Sequence, residues 1–166
     1  MLKAKDIVVL LKIHLNEGDW TYKQRADELS IGTGELHRSL ERCQQSNLYF
    51  KKNRQVQIEP LYNVIIHAIR YIYPAVEAGI SRGVPTAHTA APLKNQIASD
   101  QRENYVWEDA KGDERGISIS PLYPKAIEAA RKDNQLYECL ALIDALRVGQ
   151  KREQKIAKNE LRDRLT

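Results

Sequence analysis

The sequence predicts a mainly α chain of the α+β class, with small β-hairpins set among helices. Apolar residues recur at helical spacing through most of the chain, first over residues 2–15 and last towards residue 165. Two short alternating stretches, around 48–58 and 105–120, each enclose a polar or basic turn and read as hairpins. With 166 residues, 42% hydrophobic and 29% charged, and only 8 Gly and 6 Pro, the chain is rich enough in apolar side chains to build a core. Two regions are expected: residues 1–74, a head ending in an apolar helix, and residues 75–166, a helical extension containing the second hairpin.

Each element has its own justification. Ile7, Val8, Leu10, Leu11 and Leu15 give the first helix a wide apolar face, and Val9 and Ile13 widen it, so burial on more than one side is expected. Asn16 to Asp19 make a turn, and Trp20 is expected to pack under the head. Thr21 caps a second helix, with Gln24 three residues on as its capping-box partner. Ala26 and Leu29 share one face of that helix, Ile31 falls in the next turn, and Leu36, Leu40 and Cys43 follow at helical spacing on a third helix over 33–46. Gly32 or Thr33 serves as its N-cap, and Glu35 complements the positive end of its dipole. Leu48 to Lys52 and Gln55 to Ile58 are the expected strands of a hairpin with Asn53-Arg54 at its tip. Helix, tight turn, helix, basic hairpin is the order of a winged helix-turn-helix.

The run ADELSIGTGELHRSLERCQQSNLYF, residues 26–50, resembles the reader head of MarR-like and related bacterial winged helix regulators. Ala26, Leu29, Ile31, Leu36 and Leu40 match that pattern, and Asn47-Leu48-Tyr49-Phe50 resembles the usual lead into the wing. Two departures stand out: Ser30 occupies a place where such motifs often carry Gly, and the turn is Gly-Thr-Gly rather than Ser-Pro-Ser. The resemblance covers the first third to half of the chain. It implies a double-stranded DNA partner.

Helical phase then assigns roles. With Leu36, Leu40 and Cys43 inward, Thr33, Gly34, His37, Arg38, Glu41 and Gln45 form the outward arc of the third helix. Thr33, His37 and Arg38 are the expected base readers, because the N-terminal half of such a helix reaches the base edges. Lys23, Arg25, Arg42 and Gln44 are expected on the DNA backbone, with Lys51, Lys52 and Arg54 of the wing. Pro60 starts a helix ended by Pro74 that is apolar nearly all round, so it is central to the core or a dimer seam. Val64, Ile65, Ile69 and Ile72 are its expected homodimer contacts. His67 on this helix is expected to be packed or capped.

Residues 78–103 read as a long Gly/Pro-punctuated connection. Tyr105 to Glu108 and Ile117 to Ser120 are the second hairpin. Helices follow over 125–131, over 136–148 with Leu136, Cys139, Leu140, Ile143 and Leu146 on one face, and over 151–165 as a basic, solvated surface helix.

Net charge is +4; residues 1–74 carry 11 basic and 8 acidic residues against 15 and 14 in the remainder, so the excess leans towards the head. Cys43 and Cys139 show no paired spacing and read as small buried residues in a reducing, cytoplasmic compartment. No signal peptide or membrane span is expected. The four histidines have no metal spacing with the cysteines, and no nucleophile, zinc or phosphate-loop motif is present, so no cofactor, no metal and no catalysis are expected. Two functions of different class remain. One is a sequence-specific DNA-binding transcriptional regulator acting as a dimer. The other is an antitoxin-like or defence-associated module whose C-terminal half binds a partner protein while the head autoregulates its operon.

Overall fold

The computed structural model describes residues 1–97 and 103–166. The chain is a mixed α/β structure. Helix α1 (Ala4–Leu15) opens it and buries Ile7, Val8, Val9, Leu10, Leu11 and Ile13, the wide face expected of it. Its first turn is closed by Asp6, whose Oδ2 accepts the Lys3 backbone N–H at 2.7 Å. Helix α2 (Tyr22–Leu29) begins at Thr21, whose hydroxyl accepts the Gln24 N–H at 3.1 Å. It ends at Ser30 in the left-handed region (φ 58), and the Ile31 N–H returns to the Ala26 carbonyl at 3.0 Å. That conformation explains why glycine suits the position. Gly32 then caps α3 (Thr33–Gln45), which buries Leu36, Leu40 and Cys43. Strands β1 (Tyr49–Phe50) and β2 (Gln55–Val56) pair antiparallel, shorter than expected, and α4 (Ile58–Ile72) starts two residues before Pro60, which sits in its first turn.

The dimer-seam reading of α4 needs correcting. Ile65 and Ile69 are 0% and 1% exposed, Val64 is half-buried, and only Ile72 is exposed. Helices α7 (Asn134–Val148) and α8 (Lys151–Leu165) cover the face of α4 that an isolated periodicity would leave for a second copy. His67, by contrast, is exposed rather than packed.

The stretch expected as a connection is also corrected. Residues Glu77–Thr86 form β3, the longest strand, followed by a 3₁₀ turn at Ala87–Thr89 and the short α5 (Ala91–Lys94). Strands β4 (Tyr105–Glu108) and β5 (Glu114–Ile119) do not make a hairpin. Both run antiparallel to β3 and therefore parallel to each other, with Tyr105 opposite Ile117, and the three strands close on themselves. Closure brings backbones so near that a Cβ on Gly83 would stand 2.0 Å from the Trp107 carbonyl oxygen. Only glycine fits there.

Helix α6 (Ala126–Lys132) packs on α2, and α7 packs on α1, α4 and β3. One hydrophobic cluster runs from Ile7 to Leu165, so the core crosses residue 74 without a break. Polar bonds cross it too. The Tyr123 hydroxyl donates to the last carbonyl of α2, Leu29, at 2.8 Å, and the Lys12 ammonium meets Asp133, the N-cap of α7, at 2.7 Å. Helix α8 is less solvated than expected, because Glu153, Ala157, Leu161 and Leu165 face the core.

Candidate nucleic-acid interface

The outward face of α3 follows from its inward one. With Leu36, Ser39, Leu40 and Cys43 buried, Thr33, Gly34, His37, Arg38, Glu41, Gln44 and Gln45 all lie exposed. The three expected base readers therefore share one solvent face. Arg38 folds back along the helix, with Nη1 near Gly34, where a Cβ would come within 3.3 Å of it. His37 lies flat on Tyr22, with ring centroids 3.8 Å apart and planes 10° from parallel. At the first turn of α3, the Lys5 ammonium and the Gly32 backbone hold the Glu35 carboxyl below its usual range.

Two of the expected backbone contacts are structural instead. Arg25 is 5% exposed; its Nη1 pairs with Glu28 at 2.7 Å and its Nη2 donates to the Asn16 carbonyl. Arg42 grips Asp6 with two bonds, Nε at 2.9 Å and Nη2 at 2.8 Å, and Ser39 donates to the same carboxylate at 2.6 Å. Helical phase points both arginines roughly outward, but each bends to an acid that phase cannot see.

The others remain at the surface. The Lys23 side chain is 81% exposed beside Asp27 at 3.3 Å, and Lys51 and Lys52 are exposed with no ion pair among the described residues. Gln44 steadies the hairpin, its Oε1 accepting the Lys51 backbone N–H at 3.0 Å. Arg54, at φ 54, turns its guanidinium inward, 4.6 Å over the Trp20 ring and 5.2 Å from Tyr22, and donates to the Trp20 carbonyl at 2.7 Å. It braces the hairpin against α2 rather than reaching out from the tip.

Sequence reasoning passed over Tyr22, and placed Trp20 under the head without the cation that it receives. Tyr22 is the platform for His37, and Trp20 the platform for Arg54. Phe50 is 47% exposed while its neighbour Tyr49 is fully buried. The two-residue alternation of a strand carried that signal, because an inward Tyr49 requires an outward Phe50. Phe50 lines a cleft of about 910 Å³ with Gln44, Asn47, Lys51, Lys52 and Asn53.

Elsewhere, burial pushes the Cys43 and Cys139 thiols up to about 12, so neither is a ready nucleophile. No helix among the described residues is long and apolar enough to cross a membrane. The chain matches no protein-family model, no curated protein and no solved structure.

The buried acids set a pH dependence. Burial pushes Asp6 up, but the Arg42 guanidinium, the Ser39 hydroxyl and the Lys3 N–H outweigh it and hold the carboxyl below its ordinary value. Asp133 is held down in the same way by Lys12, Asn16 and the Leu136 N–H against its own burial. A carboxyl whose folded pKa is depressed contributes stability that is complete above its unfolded pKa and disappears as pH falls through the folded one. Thermal midpoints should therefore be insensitive to these two groups near neutrality and fall once pH drops below about 4. Asp133→Asn should flatten that acid limb; an unchanged limb would remove Asp133 from the account.

Proposed function

We propose that residues 1–74 form a winged helix-turn-helix and that the chain is a sequence-specific double-stranded DNA-binding transcriptional regulator, a homodimer and not an enzyme. The observation that carries this reading is the exposed face of α3, with Thr33, His37 and Arg38 in its N-terminal half and the exposed Lys51 and Lys52 on the hairpin that follows. A B-form major groove admits a helix, and an arginine fork bonds both acceptors on a guanine edge. Arg38 takes that role, with His37 and Thr33 beside it. Lys51 and Lys52 meet phosphates, and Lys23 and Gln44 add to them. The exposed Tyr71 and Ile72 at the end of α4 support a contact between copies away from the buried face of that helix.

The test is fluorescence anisotropy on duplexes of about 30 bp tiled across the chain's own upstream region at two salt concentrations. One tile should bind at least about 10³-fold more tightly than the rest, with steep salt dependence and two chains per duplex. Uniform weak binding on every tile would sink the reading. On the preferred tile, Arg38→Ala should reduce discrimination at one base pair by ~1–3 kcal/mol. Replacing Lys51 and Lys52 together with alanine should weaken every duplex alike and lower the salt slope by about two. If Arg38→Ala keeps full preference, its base-reading role is wrong.

A further inference from the structure

The cleft between the C-terminal end of α3 and the hairpin sets Phe50, Asn47 and Asn53, which the duplex reading does not use, beside the Lys51, Lys52 and Gln44 that it does. Its six lining residues supply one aromatic face, two ammonium groups and three amides, and no carboxylate. Phe50, the only phenylalanine in the chain, stands on β1 opposite Gln55 with about half its surface open. Two of the amides are already held on one side. Gln44 Oε1 accepts the Lys51 N–H at 3.0 Å, and Asn53 Nδ2 donates to Gln55 at 3.1 Å. The Gln44 amide nitrogen remains as a donor and the Asn53 amide oxygen as an acceptor for a guest.

We propose that this cleft takes an unpaired nucleobase and its flanking phosphate from a nucleic-acid strand, so that the head binds duplex beside a single-stranded flank. The base stacks on Phe50, its edge meets the Gln44 and Asn53 amides, and the phosphate lies against Lys51 and Lys52. An aromatic platform beside positive charge is the chemistry of single-strand binding. A side chain that wedges between stacked base pairs has to protrude. Phe50 is instead half-covered in an open, shallow cleft, which suits a flat guest lying on the ring. An acidic protein segment would satisfy the two lysines but leave the ring face and the amides unused.

The proposal rests on the duplex reading above, and the experiment separates the two. The full chain is titrated against its preferred duplex, either blunt or carrying a short tail of about three thymidines, against the same duplex with an abasic tail, and against the tail strand alone. The thymidine tail should tighten binding roughly tenfold over the blunt duplex and the abasic tail should not. The tailed-to-blunt ratio should fall to about one in Phe50→Ala and persist in Phe50→Trp, with circular dichroism reporting the fold of both. Equal affinity for blunt and tailed duplexes overturns the proposal and leaves the duplex reading intact. So does a gain that survives in Phe50→Ala or with the abasic tail. Displacement of the tail by micromolar thymidine monophosphate would make the guest a free nucleotide and overturn the strand assignment. Tight binding of the tail strand alone, with none to blunt duplex, overturns the duplex reading and keeps the cleft.

Discussion

Asp144→Ala should lower the unfolding free energy by ~3–5 kcal/mol, the cost of leaving a buried charge without its partner. Asp144 is 1% exposed in the middle of α7. Its Oδ1 accepts from Arg147 Nη1 at 2.7 Å, and its Oδ2 accepts from the Thr86 hydroxyl and the Trp107 indole N–H, each at 2.7 Å. Arg147 and Trp107 can only donate, so one donor is fixed on each oxygen; burial pushes the carboxyl up from its ordinary value, and the Arg147 guanidinium, the Thr86 hydroxyl and the Trp107 N–H work against that shift. Removing it strands a guanidinium, an indole N–H and a hydroxyl in the core. Arg147 also donates to the Tyr73 carbonyl at 2.9 Å and the Ser120 carbonyl at 3.0 Å, so the same cluster joins α7 to the end of α4 and to the strand layer. Urea unfolding measures the loss. Asp144→Asn, which keeps an acceptor but no charge, should fall between the two. An alanine variant within about 1 kcal/mol of the parent would show that the cluster relaxes without cost.

That cluster was out of reach of sequence reasoning, and the reason is physical. Periodicity reports which face of an element is apolar, and it located α3 and α8 because their buried positions repeat every three or four residues, whereas α1, buried without a break from Asp6 to Ile13, showed itself by the width of its apolar run. It has nothing to report for β3. Glu77 to Ile80 are exposed on both faces, so no alternation exists to be found, and the strand is defined by partners in β4 and β5, much later in the chain. Small residues there, which suggested a loose connection, are what let three strands close at Gly83. Burial of Ile65 and Ile69 depends in the same way on α7 and α8, which lie far along the chain. In the candidate site, the exposed arc of α3 was legible because a helix face is a local property. The partners of Arg25 and Arg42 were not, since one arginine reaches back to a turn and the other to a different helix.

Arg42 gives the sharpest contrast between the two kinds of inference. If it met only DNA phosphate, Arg42→Ala would weaken binding and leave the fold untouched. The structure predicts the reverse. Asp6 is 0% exposed and takes both bonds of the Arg42 fork, while the Arg42 side chain is only 15% exposed. Truncation removes the cation that compensates this carboxylate, leaving Ser39 and the Lys3 N–H as donors. The expected loss is ~3–5 kcal/mol in unfolding free energy, somewhat less if water reaches the carboxylate through the opening. Arg42→Lys should recover only part of it, because an ammonium cannot make the paired bonds of a guanidinium. Asp6→Asn combined with Arg42→Ala should be less damaging than Arg42→Ala alone, since the buried charge is then gone. Chemical unfolding of the parent, Asp6→Asn, Arg42→Ala and the double variant closes the cycle. A stable Arg42→Ala protein with weakened DNA binding would return this arginine to the phosphate contacts that its place on the helix first suggested.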